Sequence, residues 1–163
     1  MVALWAHVAA PRIGAAMSSR WRSAAVPLLA LLLAACGAGD GLSAETVARN
    51  WQATHCEYVD PSGEAATVDL VADEGWTVWL HLNDNGAFRY STTPPGGPES
   101  WVDGTWDVSG SSLVLHVAGG IITWEFDATV SESALALRGA NAEYDFDGDT
   151  VPEPATWNLR LHQ

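Results

Sequence analysis

Residues 104–117 read GTWDVSGSSLVLHV, and this stretch already indicates the fold class. Leu113, Leu115 and Val117 alternate with other residues, so they would share one face of a β-strand. The segment Ser109–Ser112 just before them consists of serine and glycine, which is typical of a tight turn. The stretch therefore predicts two strands joined by a hairpin, with apolar side chains on one face only.

The same period of two recurs in other parts of the chain. It is found in residues 76–82 (WTVWLHL), 122–128 (ITWEFDA), 134–138 (ALALR) and 155–161 (ATWNLRL). Short turn segments separate several of these runs, and Asn83–Gly86 ends in Asn-Gly, a strong hairpin signal. The pattern predicts an all-β domain of about eight antiparallel strands. Because sequence neighbours would also pair in space, an up-and-down β-barrel is favoured over a sandwich.

The apolar faces of these strands are expected to point into the barrel. An eight-stranded barrel is just wide enough to be filled by side chains or to hold one small ligand. The candidates for this core or ligand cavity are Trp76, Val78, Leu80, Leu82, Leu113, Leu115, Trp124, Phe126, Leu135 and Leu137. Trp79 shares the opposite, polar face of its strand with His81, so we expect it to be exposed and available to a partner.

A short helix is predicted at the start of the domain. Ser43 is a natural N-cap, and Glu45 would place negative charge in the first turn. Val47, Trp51 and Thr54 have helical spacing. The segment from Trp51 onward is equally compatible with a first strand.

The beginning of the chain has a different composition. Residues 24–35 (AAVPLLALLLAA) are uncharged and almost wholly apolar, and Arg20 and Arg22 precede them. Such a run is too short to cross a hydrocarbon core of about 30 Å as a helix, but it suits a secretory signal. The four residues that end in Cys36, Leu-Ala-Ala-Cys, resemble the lipobox of bacterial lipoproteins.

The lipobox resemblance implies cleavage before Cys36 and acylation of that residue. We expect residues 1–35 to be a signal peptide, with translation starting at Met17, and residues 36–42 to be a lipidated flexible tether. Residues 43–163 would then form the barrel domain. The protein would be exported and anchored to a bacterial membrane through Cys36, and to the outer membrane if the organism has one.

The charge of the chain restricts its partners. From Cys36 onward there are four arginines, no lysine and all 20 acidic residues, which gives a side-chain charge of −16. Such a chain is repelled by phosphate backbones and by anionic lipid head groups. Nucleic acid is therefore excluded as a partner, and attachment to a membrane must be hydrophobic or covalent.

An acidic stretch, residues 143–153 (EYDFDGDTVPE), has two interpretations. Three of its aspartates have the spacing that begins an EF-hand, but Thr150 and Thr156 stand where that loop needs glycine and glutamate. It is either a calcium-binding loop of another kind or a solvated connection rich in Asx turns. The calcium ligands would be Asp145, Asp147, Asp149 and Glu153. No other cofactor is expected.

Catalytic motifs are not evident. The histidines after Cys36 do not have metal-ligand spacing, and there is no Gly-x-Ser-x-Gly or phosphate-binding glycine loop. Cys56 is expected to be a small buried residue. The acidic residues between Glu64 and Glu74 are expected to be solvated. We therefore do not expect an enzyme.

Three segments together resemble the core of the lipocalin-like domains of bacterial lipoproteins. They are residues 82–91 (LNDNGAFRYS), 104–117 and 124–137 (WEFDATVSESALAL). This resemblance implies a barrel with a mouth and an apolar cavity, and hence non-catalytic binding of a small apolar or amphipathic molecule. The alternative is a filled barrel whose outer surface binds another protein of the cell envelope.

Overall fold

The computed structural model describes residues 42–63, 67–120 and 122–163. The predicted signal peptide, Met17 and Cys36 lie outside these residues. One short helix, α1 (Ala44–Val47), precedes nine strands. The strands are β1 (Asn50–Val59), β2 (Val68–Asp69), β3 (Thr77–Leu82), β4 (Ala87–Thr93), β5 (Ser100–Ser109), β6 (Ser112–Val117), β7 (Thr123–Val130), β8 (Ala134–Tyr144) and β9 (Glu153–His162).

Eight of these strands close into an antiparallel barrel. From β3 to β9, each strand pairs with the next along the chain, and β1 pairs with both β3 and β9. The two-residue strand β2 is an addition, paired with the end of β1. The predicted all-β, up-and-down barrel of about eight strands is confirmed.

Helix α1 is held by a capping box. The Ser43 side chain accepts a hydrogen bond from the Thr46 backbone, and Thr46 Oγ1 accepts one from the Ser43 backbone at 3.0 Å. The helix ends at Val47, so Trp51 and Thr54 are not helical despite their spacing. Both lie in β1, where Trp51 points inward and is buried while Thr54 is exposed. The strand interpretation of this segment is therefore correct.

Large side chains fill most of the barrel. Trp51 and Phe88 are buried together with most of the predicted core candidates. The candidates that are at most 2 % exposed are Val78, Leu80, Leu82, Leu113, Leu115, Phe126, Leu135 and Leu137. Trp76 and Trp124 are half-buried, and Trp76 lies just before β3. These residues form the packed core of the barrel.

The two ends of the barrel differ. At one end, which we call the closed end, α1 covers the core beside the tight hairpins 83–86, 110–111 and 131–133. There the Arg49 guanidinium donates to the Glu132 carbonyl at 2.8 Å, and the Arg49 carbonyl accepts from Leu82 N at 2.9 Å. At the opposite, open end, the connections include residues 94–99 and 145–152. The open end is the one without a helical cover among the described residues.

The barrel wall has a gap near the open end, between β7 and β8. Where both strands are described, their ladder joins only Asp127–Val130 to Leu135–Arg138. Beyond this point β8 pairs only with β9, after a register shift at Gly139, which has a φ of +85°. A bulge bends its strand and increases its twist, so β8 leaves β7 here. The separation opens the side of the barrel.

Candidate ligand-binding cleft

The gap between β7 and β8 leads into a cleft of about 490 Å³. This volume lies within the range of about 300–1,000 Å³ that is typical of small-molecule sites. The described residues that line the cleft are Tyr58, Tyr90, Ile122, Trp124, Asn141, Ala142, Glu143 and Trp157. They come from β1, β4, β7, β8 and β9 and, for Ile122, from the position just before β7, so the cleft exists only in the assembled barrel.

Aromatic rings form the floor of the cleft. Tyr90, Trp124 and Trp157 contact each other edge to face, with centroids 5.0–6.2 Å apart and interplanar angles of 69–80°. Tyr58 is stacked on Trp157 at 6.0 Å and on Tyr144 at 4.8 Å. Because each ring is packed against others from different strands, the floor is rigid and formed in advance of any ligand.

Cys56 lies beneath this floor and is fully buried. Its Sγ accepts a hydrogen bond from Trp157 Nε1 at 3.4 Å and lies 3.6 Å from the Tyr90 hydroxyl. Burial raises the pKa of the Cys56 thiol to about 11, so it is protonated at neutral pH. The expectation of a small buried residue is confirmed. A protonated buried thiol is a poor nucleophile, and its contact with the indole shows a structural role.

The rim of the cleft carries a single charge. Glu143 and Asn141 are exposed on β8, and Glu143 is the one charged side chain among the described lining residues. Tyr144 follows in the same strand, and its hydroxyl donates a hydrogen bond to Glu74 at 3.4 Å. The cleft is therefore aromatic at its floor and negative at its edge.

Sequence reasoning anticipated only one of the lining side chains as a cavity residue. Trp124 reaches the cleft, whereas the other nine candidates pack in or against the core. Tyr58, Tyr90 and Trp157 were missed as site residues. Tyr90 is two residues after the buried Phe88 in β4, so the two side chains lie on the same face of the strand. Once Phe88 is assigned to the interior, this alternation predicts that Tyr90 also points inward.

The acidic stretch forms a second cluster at the open end. Oxygen atoms of its four acidic side chains, Asp145, Asp147, Asp149 and Glu153, lie within 4.8 Å of one another. The carboxylates already accept backbone N–H bonds within the loop, for example Asp145 from Gly148 at 2.7 Å and from Thr150 at 2.9 Å. These bonds are those of an Asx-turn connection, and the oxygens are of the type that calcium prefers.

A third cluster was not anticipated at all. Asp69 is 7 % exposed, so the expectation that the acids between Glu64 and Glu74 are all solvated is wrong for this residue. Its Oδ1 accepts backbone hydrogen bonds from Cys56 at 3.1 Å and from Val71 and Ala72 at 3.0 Å. Its Oδ2 lies 2.6 Å from His55 Nδ1. Asp69 therefore joins the turn after β2 to β1.

The electrostatics of Asp69 follow from this environment. Burial by itself would raise the pKa of the carboxyl, but hydrogen bonds from Ala72, Cys56, His55 and Val71 hold its pKa below the ordinary value. Glu57 lies in the same cluster and is paired with Arg160 at 3.3 Å. Because both Asp69 oxygens are engaged, the cluster serves to fix the loop.

The outer wall of the barrel carries two neighbouring tryptophans. Ser91 on β4 pairs with Trp79 on β3 and with Trp101 on β5. Trp79 is half-buried and stacked on His81 at 5.7 Å, whereas Trp101 is 57 % exposed. The expectation that Trp79 is the exposed tryptophan is therefore wrong, because its neighbours partly cover it.

Comparisons with known proteins do not identify a family. No protein-family model matches the chain, and no curated protein sequence matches it significantly. In the part of the chain that the structure describes, no helix is long and apolar enough to cross a membrane. The function is therefore inferred from the geometry of the sites.

Proposed function

We propose that this protein is a membrane-anchored bacterial lipoprotein whose barrel binds a small apolar or amphipathic molecule. The observation that carries the proposal is the cleft of about 490 Å³ with its preformed aromatic floor. The filled core lies below Trp157, so the ligand would sit at the open end, against the rings of Tyr90 and Trp124. The gap between β7 and β8 would be its path of entry.

The lining of the cleft favours binding over catalysis. None of its described side chains is a histidine, cysteine or serine. The nearest thiol, that of Cys56, is buried and protonated, and His55 is paired with Asp69. We therefore propose a carrier or sensor that releases its ligand unchanged.

The proposed anchor would leave the cleft accessible. Leu42 packs against the core beside α1 at the closed end. The six Cα–Cα steps from Cys36 to Leu42 can span at most about 20 Å. An acylated Cys36 would thus hold the closed end near the membrane surface, and two or three acyl chains would make this attachment stable. The cleft lies toward the opposite end of the barrel.

A neutral fluorescent probe tests the binding function. N-phenyl-1-naphthylamine becomes bright in an apolar site, and we expect its fluorescence to rise when it is titrated with the full-length protein. Trp124→Ala should weaken this binding at least tenfold, because Trp124 forms one side of the cleft. Trp101→Ala removes an equally large side chain from the outer wall and should have no effect. Equal binding by both variants would contradict the proposal.

The outer wall supports a second candidate function, binding of another envelope protein. Trp101 is exposed, and the Arg89 guanidinium lies 5.6 Å from its ring centroid. Exposed tryptophan and arginine are the residues that most often dominate protein interfaces. A photo-crosslinking amino acid at the exposed position 99, which leaves Trp101 in place, should then give one discrete adduct in living cells. The absence of such an adduct would remove this candidate.

A further inference from the structure

The walls of the cleft also restrict the polar end of its ligand. The charged side chain at the rim is that of Glu143, and among the described lining residues there is no arginine, lysine or histidine. From this arrangement we propose that the ligand carries an organic cation, held by the aromatic floor and by Glu143. This inference rests on the proposed binding function and specifies the ligand's chemical class.

The aromatic floor is suited to a cation. The face of an aromatic ring is electrostatically negative, and a cation within about 6 Å of the ring centroid is attracted to it. Trp124 and Tyr58 are half-buried and present ring surface to the cleft, whereas Tyr90 and Trp157 are 8 % and 1 % exposed and support them from the core. A quaternary ammonium group has an apolar surface and a delocalised charge, so it suits such an aromatic surface better than a strongly hydrated ammonium does.

Most charges around the cleft act in the same direction. Arg89 and Arg160 are paired with Asp103 and Glu57 on the outer wall, and Arg49 binds a carbonyl at the closed end. Arg138 is exposed on β8 where its ladder with β7 ends, and the acidic residues of the open end outnumber it. The open end also carries the acidic loop, residues 145–153, and the ring of Phe146 in this loop contacts Tyr144 at 5.1 Å. The local field at the cleft therefore attracts cations and repels anions.

The rim leaves room for the remainder of the ligand. Ile122 is exposed and Ala142 is half-buried, and they lie on opposite sides of the gap. An apolar group attached to the cation could contact both while the charge stays near the rings. The chemical class is thus an amphipathic ammonium, either a free amine or the choline head group of a lipid.

A matched pair of ligands tests the role of charge. Benzyldimethyl(2-hydroxyethyl)ammonium and 3,3-dimethyl-4-phenylbutan-1-ol have the same shape, and only the first is charged. Both would be titrated into the full-length protein in dodecyl maltoside and followed by calorimetry. We expect the ammonium compound to bind at least tenfold more tightly. Raising the salt concentration should weaken the binding of this compound only.

Two variants locate the effect at the cleft. Glu143→Gln should weaken binding of the ammonium compound at least threefold and leave the alcohol unchanged. Glu132→Gln removes an exposed acid at the closed end and should change neither. Displacement by dihexanoylphosphatidylcholine below its micelle concentration would indicate a lipid source for the cation, and its failure to displace would indicate a free amine.

The outcomes separate this inference from the proposed function. If the two compounds bound equally well and Trp124→Ala weakened the binding of both, the proposal of a cationic ligand would be overturned. The proposed binding function would still be supported. The proposal of a cationic ligand would also be refuted if Glu143→Gln and Glu132→Gln changed the affinity for the ammonium compound equally. Failure of the protein to bind either compound or the naphthylamine probe would overturn both.

Discussion

The Trp157 indole donates its N–H to the Cys56 sulfur at 3.4 Å, and this bond crosses the seam at which the barrel closes. Cys56 lies on β1 and Trp157 on β9, the first and last of the described strands. The same indole ring contacts Tyr90 and Trp124 in the floor of the cleft. The closure of the barrel and the shape of the cleft thus depend on the same pair of residues.

Cys56→Ala should destabilise the protein by about 1–3 kcal/mol, because it leaves the buried Trp157 N–H without its acceptor. The substitution also removes a buried sulfur, which adds a small cavity. Urea unfolding followed by circular dichroism would measure the loss. Cys56→Ser retains a hydrogen-bond acceptor and should cost less. If the alanine variant is no less stable than the serine variant, the bond has no energetic importance.

The stability of the protein should fall as the pH rises from about 9 to 11. The pKa of the Cys56 thiol is raised to about 11 by burial, above its ordinary value of 9.0. The folded state thus favours the protonated thiol, and the stabilisation is complete below pH 9 and lost toward pH 11. A shift of this size corresponds to about 2–3 kcal/mol.

Urea unfolding at several pH values would measure this dependence, and Cys56→Ser should reduce its slope. Burial raises the pKa of Tyr58, Tyr90 and Tyr144 as well, so these tyrosines also contribute to the fall in stability. The difference between the parent and the variant isolates the contribution of the thiol. Parallel curves for the two proteins would contradict the prediction.

Asp69→Asn should cost about 1–3 kcal/mol, because it removes the charge that accepts three backbone hydrogen bonds and faces His55. The pKa of Asp69 is lowered in the folded state. Its contribution is therefore present above the ordinary carboxyl pKa and is lost as the pH falls below it. Thermal unfolding between pH 7 and pH 3 would show a smaller pH dependence in the variant.

Asp103→Asn provides a control for Asp69. Asp103 is paired with Arg89 on the exposed outer wall, where solvent screens the interaction. Its replacement should change the stability much less than Asp69→Asn does. Equal effects of the two substitutions would show that burial of Asp69 is unimportant.

The acidic loop should be organised by its own backbone without calcium. Asp145 accepts hydrogen bonds from Gly148 and Thr150. Asp145→Ala should therefore lower the stability by about 1 kcal/mol, and equally in calcium and in a chelator. Thermal unfolding under both conditions would test this. A loss confined to calcium, or a large rise in Tm of the parent protein on adding calcium, would favour a metal site.

The strand pattern was predictable from sequence because half-buried antiparallel strands repeat every two residues. Val78, Leu80 and Leu82 are all buried as this pattern requires. The first part of β1 was ambiguous, because Val47 and Trp51 have the spacing of one helical turn. In the structure Val47 ends α1 and Trp51 lies in β1, and the Trp51 Nε1 donates a buried hydrogen bond to the Val47 carbonyl at 2.9 Å.

The cleft could not be predicted in the same way. Its opening depends on the point at which β7 and β8 stop pairing. Glycine is typical of loops, but Gly139 lies within β8, which continues to Tyr144. Asp69 was missed for a related reason. Its burial depends on backbone donors such as Cys56 N that are distant along the chain, and periodicity carries no information about them.

Native mass spectrometry of the full-length protein, isolated gently from its own membranes, would test whether the cleft is a ligand site. We predict a mass above that of the acylated chain, and collisional activation should release the excess as one discrete, positively charged organic molecule. The Trp124→Ala variant, prepared in the same way, should lack it. A parent protein that carries its acyl chains and nothing else would contradict the proposed ligand-binding function.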